Sequence, residues 1–543
     1  MSSTPALKRW LAASITGVIF AGILAFIALA PTANQPQTRA AQVVKSSPGD
    51  WTMYGGTPSR NLVNSVGKNI PAEWDPSKKD NVLWVADLGS KAYGGPIVAN
   101  GRVFVGTNNQ RPRNPKDVLN GEPIDLGVLM CFDEKTGAFN WQKTFPKLAG
   151  GRVVDWPKEG ICSSPTIEGD TMYYVSNRCE VVSAKVADGD INWKLDMMKD
   201  LGVFPHNLSV CSPLLIGDDL FIVTANGVDE GHINVPAPKA PSFIRVAKKD
   251  GKVLWSDNSP TIALTTAPKK GDEKEFFKGL VNRGKLIQHG QWSNPAYGVV
   301  DGQPQVIFPG GEGMLYSFDP LTNKLLWKFD CNPKDAEYQL AGNGTRNDFI
   351  ATPIIHKNRV YIGVGQDPEH ETGVGHFWCI DMTKRGDVSP DLVVDDTVWP
   401  PKTKPNPESA KVWHYGGPTT AADRKKLGRN YYFGRTMSTA AVHDGLCYIG
   451  ELSGMVHCLD ANTGEVHWTH DTGALSWGST YVVDGKVYFG NDDGVVTVFQ
   501  HGKKKEVLAE NDMGVKVRAT PVVANNVLYV MTENKLYAIA NKQ

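Results

Sequence analysis

The stretch from Gly445 to Trp468, G-L-C-Y-I-G-E-L-S-G-M-V-H-C-L-D-A-N-T-G-E-V-H-W, is a phrase that the chain repeats along most of its length. It reads as three short strands joined by tight turns: Leu446 to Ile449, Met455 to Leu459 and Glu465 to Trp468. Alternating apolar residues bounded by Gly and Asp are the strand signal. Copies recur at Gly101–Gly106 with Met130–Asp133 and Trp141, at Met172–Val175 with Trp193, and at Leu220–Val223 with Trp255. Others are Gln305–Phe308 with Trp327, and Val360–Gly363 with Trp378 and, after an insertion, Trp413. Gly485–Gly490 opens a copy without a closing Trp, and Asn526–Val530 opens a last copy that stops short.

A small residue and a Pro precede most copies, as in Ser164-Pro165, Ser212-Pro213, Asn294-Pro295, Thr352-Pro353 and Thr520-Pro521. Each unit therefore holds four strands, A to D. In the Asp-x-x-Thr-Gly turn, the Asp and Thr side chains cap backbone groups and Gly supplies a positive φ. A repeated four-stranded unit of this length predicts an all-β fold, an eight-bladed β-propeller of antiparallel blades. The final copy lacks a D strand, whereas Asn81–Ala86 is a D strand with nothing before it. The N-terminal strand is expected to complete the C-terminal blade, which removes exposed strand edges. The D-strand Trp residues are expected to pack between blades, each indole N–H meeting a facing carbonyl.

Trp10 to Ala30 carries no charge and approaches the roughly 20 residues that span a bilayer. Lys8 and Arg9 precede it, which orients the N-terminus to the cytoplasm and the rest of the chain across the membrane. Residues 1–30 are expected to form a retained signal anchor, a transmembrane helix. Ala28-Leu29-Ala30 looks like a signal-peptide cleavage site, but Pro31 directly after it argues against cleavage. Residues 31–49, rich in Pro, Gln and Ser, read as a flexible tether, and residues 50–543 as the propeller. These features predict a single-pass protein of the cell membrane with its propeller on the periplasmic or extracytoplasmic side. Lys plus Arg and Asp plus Glu both total 57, so charge gives no reason to expect a nucleic-acid partner.

Asn108–Leu126, Asn226–Pro241, Gln366–Gly375 and Thr383–Ala410 interrupt the blade rhythm, and loops this long within a regular repeat are either functional or mobile surface. Gln291, Trp292, Asp348, Arg435, Trp477 and Arg518 lie just before A strands and should face the central channel. Two Trp faces and two Arg could hold a flat anionic ligand; the competing reading is ordinary ring packing. His289, close to Trp292, reads as a hydrogen-bonded structural residue rather than a metal ligand or base. Cys131, Cys379 and Cys458 share one repeat position and read as small buried residues of strand C. Cys162 could form a structural disulfide with Cys179 or Cys211, which export would permit.

The blade phrase, with its Tyr/Phe-x-Gly, Leu-Asp-x-x-Thr-Gly and terminal Trp, resembles the PQQ-like (pyrroloquinoline quinone) propeller repeat from about residue 50 to the end. The opening Asp50-Trp51-Thr52-Met53-Tyr54-Gly55-Gly56 is similar to that of quinoprotein alcohol dehydrogenases. The anchored layout with insertions resembles membrane-anchored PQQ-like propellers of planctomycete-type bacteria. This resemblance implies two possible roles. One is a non-enzymatic binding or assembly module of the cell envelope, with an envelope protein as partner through strand addition. The other is a PQQ- and calcium-dependent dehydrogenase of small alcohols or sugars. In that case Asp348 would be the base, Trp292, Arg435, Trp477 and Arg518 would surround the quinone, and Glu371 would bind calcium. The chain has neither the adjacent-cysteine pair nor the Cys-x-x-Cys-His haem motif of those enzymes, which favours the binding module.

Overall fold

The computed structural model describes residues 48–542, except 233, 262–286, 338–343 and 367. The apolar run Trp10–Ala30 and nearly all of the tether lie outside the described residues. Among those described, no helix is long and apolar enough to cross a membrane.

Eight sheets, each built around four sequential antiparallel strands, form the blades of the expected propeller. Blades 1 to 7 span residues 97–146, 166–196, 214–257, 296–330, 354–416, 441–471 and 481–512. Blade 8 takes Val522–Ala524, Val527–Met531 and Lys535–Ile539, and its fourth strand is Val82–Asp87, antiparallel to Lys535–Ile539. Two blades carry a fifth strand. Gly386–Asp387 runs parallel along the outer edge of blade 4, and Val63–Asn64 runs parallel to the innermost strand of blade 7.

The D-strand tryptophans join neighbouring blades. The indole N–H of Trp84 donates to the Glu134 carbonyl, that of Trp193 to Lys248, that of Trp255 to Pro320 and that of Trp413 to Ala461, each at 3.0 Å. Each of these acceptors lies at the C–D turn of the next blade, whereas the Trp327 indole, contrary to expectation, donates to Gln305 Oε1 of its own blade at 2.8 Å. The glycine of that turn rests on the indole face: a Cβ on Gly137 would sit 2.5 Å from Trp84, and one on Gly464 2.7 Å from Trp413. These glycines also adopt φ of 69° and 74°, so both the turn and the ring contact exclude a side chain.

Blade 7 lacks its Trp because blade 8 has no C–D turn to receive one: that connection is the break between the chain ends. Ala509 holds the position, opposite Val498 as Trp468 is opposite Cys458. Trp74, from the N-terminal segment, fills the space. It stacks on Tyr488 at 6.5 Å, and its indole N–H reaches Met513 Sδ at 3.1 Å. Its backbone N–H donates to Asn511 Oδ1 at 2.9 Å.

The segment 51–64 closes one end of the channel by bonding to the exposed inner edges of the A strands. Trp51 pairs with Val98 of blade 1, and Thr52, Pro58, Ser59 and Leu62 accept from Ile167, Tyr297, Ile355 and Val482 of blades 2, 4, 5 and 7. Asn61 pairs with Val442 of blade 6, and the Asn64 amide donates to Val523 of blade 8. Arg60 supplies blade 3. Its guanidinium is wholly buried and donates to the carbonyls of Ser212, Pro295 and Tyr54 at 2.9, 2.9 and 2.7 Å. Unpaired inner-edge backbone groups would be costly, and this segment satisfies one in almost every blade.

At the other end, the B–C turns of blades 4 and 6 each bury a glutamate in a different setting. Burial pushes Glu451 up, but His457 at 2.7 Å and Arg429 at 2.5 Å more than offset this and hold it down to about 2. Glu312 has the Tyr316 hydroxyl as its close partner, and burial raises it to about 7.

Two predictions arise from this architecture. Trp74→Ala should lower stability by about 3–5 kcal/mol in denaturant unfolding, with Trp74→Phe costing less. For Glu312 the folded value lies above the ordinary 4.5, so its contribution is complete below pH 4.5 and is lost as pH rises through 7. Glu312→Gln should remove that loss and gain about 2–3 kcal/mol above pH 7. Glu451 has the opposite sign, its contribution being lost as pH falls from 4.5 towards 2. Unfolding free energy of Glu312→Gln and of Glu451→Gln measured against pH separates the two.

Candidate functional site

With one end sealed, the channel is a pocket open at the other. The connections leading into the A strands line it, and the B–C turns surround it. The cavity has a volume of 260 Å³, with Tyr54 of the sealing segment among its lining residues and aromatic walls of Tyr93, Trp156, Trp292 and Trp477. Arg518 is its only cationic lining residue among those described. The guanidinium lies 4.1 Å from the Trp477 ring, and Tyr93 stacks on the same indole at 5.5 Å. Asp492 holds Arg518 at 2.8 Å and Glu533 at 3.3 Å. Burial works against the Arg518 charge, but these carboxylates more than offset it and raise its pKa. Glu159 and Glu369 also line the cavity. Burial, then Glu159, raises the pKa of the Tyr93 hydroxyl, which stays protonated.

Of the residues expected to face the channel, Trp292, Trp477 and Arg518 line this cavity. Gln291 instead ties neighbouring segments together, donating to the Asn226 carbonyl and Ser242 Oγ, both at 2.8 Å. Arg435 is buried and braces the 366–375 insertion: it donates to the carbonyls of His370 and Glu371, and to Gly344 at 2.8 Å. Glu371 has an exposed side chain. Asp348 is buried, with its carboxylate 3.4 Å from His289 Nδ1.

His289 is not the isolated structural histidine suggested by its local sequence. Its ring lies 4.7 Å from that of His206 and 5.2 Å from that of His232, and Trp292 packs edge-on against it at 4.5 Å. His370 is 5.9 Å away. His232 and His370 belong to the B–C insertions of blades 3 and 5, so both insertions reach the mouth. Their irregular spacing matches no ligand motif in the sequence; the one available signal was that both insertions contain a histidine.

All eight cysteines are free thiols, so the expected disulfide from Cys162 to Cys179 or Cys211 is not formed. Cys179 faces the Thr224 carbonyl at 3.5 Å, and Cys211 Sγ accepts from the Val223 N–H at 3.3 Å. Burial pushes Cys131, Cys379 and Cys458 up to about 12, which leaves them unreactive strand-C residues.

The lining does not suit a tricarboxylate quinone. Its one guanidinium is already paired with two carboxylates, Arg435 is engaged with carbonyls, and Glu159 and Glu369 add negative charge. Nor is a calcium cage assembled among the described residues, because calcium takes six to eight oxygens and the Asp348 carboxylate faces an imidazole.

A family model described as outer membrane protein assembly factor BamB matches residues 74–227, 125–384 and 402–543. No curated protein sequence matches the chain. Among solved structures, the quinohemoprotein alcohol dehydrogenase of Comamonas testosteroni aligns with a TM-score of 0.58 at 13% identity, covering 91% of this chain and 81% of that one. A europium-containing methanol dehydrogenase aligns with a TM-score of 0.57 at 13% identity, covering 91% and 98%. At such identity the alignments establish a shared fold alone. Repeat, ring closure and family match agree: the chain belongs to the PQQ-like propeller family described by the outer membrane assembly factor BamB.

Proposed function

We propose that this chain is an exported propeller, tethered to the cell membrane through residues 1–30, that acts as a binding module in the cell envelope. The open channel mouth is its binding surface. The observation that carries this reading is the aromatic cavity at the mouth, formed where the blades converge, with Arg518 held by Asp492 and Glu533. Aromatic walls recognise apolar and cationic groups by stacking and cation–π contact. Glu159, also on the lining, disfavours an anionic group. A compact apolar or cationic group presented by an envelope partner suits this lining.

The dehydrogenase reading draws on the fold of the aligned enzymes and on the position of Trp292, Trp477 and Arg518. Against it stand the paired charge of Arg518 and the absence of the adjacent-cysteine pair from the sequence.

Titration of the full-length protein with PQQ, with and without Ca²⁺, is expected to produce no saturable tryptophan quenching at micromolar quinone. Calcium-dependent saturation would overturn the binding-module reading in favour of the enzyme. A photoreactive residue replacing Met437, which lines the cavity, should cross-link one defined envelope partner in cells. Trp477→Ala should abolish that product while the protein stays folded.

A further inference from the structure

Beside the cavity, His206, His232 and His289 each offer one ring nitrogen, and the three atoms lie within 4.8 Å of one another. They come from three separate segments. His206 lies in the connection between blades 2 and 3, His232 in the B–C insertion of blade 3, and His289 in the connection into blade 4. His206 and His289 are buried, and His232 is half-buried.

The surroundings orient these rings as ligands. His206 Nδ1 donates to the Val228 carbonyl at 3.0 Å, and His289 Nδ1 faces Asp348 Oδ2 at 3.4 Å. At His206 the carbonyl fixes the tautomer and leaves the other ring nitrogen as a donor to metal. Trp292 holds two of the rings, packing edge-on against His289 and donating its indole N–H to the His206 carbonyl at 3.1 Å.

Asn207 adds a further indication. Its amide nitrogen is satisfied only when turned towards Glu230 Oε2 at 3.1 Å and the Arg152 carbonyl at 2.8 Å. That places its oxygen beside His206 Nε2, where the amide terminus lies at 3.3 Å. The Asn207 amide thus abuts the His206 edge of the cluster from the cavity side.

Three imidazoles select a borderline transition metal over calcium or magnesium, which take oxygen ligands. At metal–nitrogen distances of about 2.0–2.1 Å, tetrahedral ligand atoms sit roughly 3.4 Å apart, so the cluster needs to close by about an ångström. We infer that His206, His232 and His289 form a binding site for a divalent transition metal of the zinc class, oriented by Asp348 and the Val228 carbonyl. Three protein ligands leave a position for water or for a group entering the mouth, the arrangement that lets zinc act as a Lewis acid. Asn207 both abuts His206 and lines the cavity, so the ion stands next to any ligand held there. The inference does not depend on which ligand the mouth takes.

The test uses full-length protein stripped with a chelator and then dialysed against Zn²⁺ or, separately, Co²⁺. Elemental analysis should find about one equivalent of metal, as a single site requires, and Co²⁺ should give the visible absorption of a low-coordinate nitrogen site. His232→Ala should weaken binding by more than about 100-fold, and Asp348→Asn, which removes the carboxylate beside His289, by about 10–100-fold. Because His232 lies on an insertion outside the blade core, its variant should unfold at the same temperature as the metal-free parent. His443, Asp444 and His501 form another potential ligand group, and His443→Ala serves as the control that keeps its metal. The inference fails if the parent retains neither metal after gel filtration at micromolar protein. It also fails if His232→Ala keeps full stoichiometry while His443→Ala loses it. Metal content and the Co²⁺ spectrum report on this site whether or not the mouth binds a partner.

Discussion

The ring is held by one contact repeated around it: an indole on the D strand of one blade, against the glycine turn of the next. The contact has an apolar part, the ring face, and a polar part, the N–H to a turn carbonyl. Neither blade can form it alone. It therefore acts between units that each bury little on their own, as repeat architectures require. Two blades depart from it: Trp327 of blade 4 donates to Gln305 Oε1 of its own blade, and blade 7 has no Trp. Where the chain ends interrupt the turn of blade 8, blade 7 has Ala509 instead of Trp, and Trp74 covers Tyr488 from outside the repeat. The apolar volume is conserved although the residue that supplies it comes from elsewhere in the chain.

The second constraint is the backbone of the inner strands. An A strand bonded on one side only leaves donors and acceptors facing the channel. Residues 51–64 satisfy them at one end, with Arg60 reaching carbonyls that the backbone of the segment does not. This makes the two ends of the channel unlike. One end is sealed, and the other becomes a pocket framed by loops that no longer have a packing task. The B–C insertions of blades 1, 3 and 5 fall at the open end, and His232 and His370 of two of them reach the mouth.

Charge pairing decides what that mouth can hold. Arg518, Lys516 and Lys91 share Asp492 and Glu533, so the aromatic walls set its preference. Beside it, the imidazoles of His206, His232 and His289 gather, with His206 Nδ1 bonded to the Val228 carbonyl and Asp348 next to His289. A shallow aromatic pocket with a nitrogen-rich flank differs in kind from a site for an anionic quinone over an oxygen-bound cation.

The local code was legible in the residues themselves. Strand alternation, Asp-x-x-Thr-Gly turns and the unmatched D strand at Asn81–Ala86 determined the blade, the blade number and the closure, because each depends on contacts within a few tens of residues or on a simple count. Trp292, Trp477 and Arg518 were likewise readable, since their repeat position fixes their radius in the ring. The partner of each indole, the role of Trp74 and the seal formed by residues 51–64 were decided only in the tertiary structure. So were the bracing role of Arg435 and the unpaired cysteines. The histidine cluster shows the reason most directly. His206, His232 and His289 are spread along the chain at spacings with no helical or strand period, and only the convergence of separate blades at one end of a closed ring brings their nitrogens together.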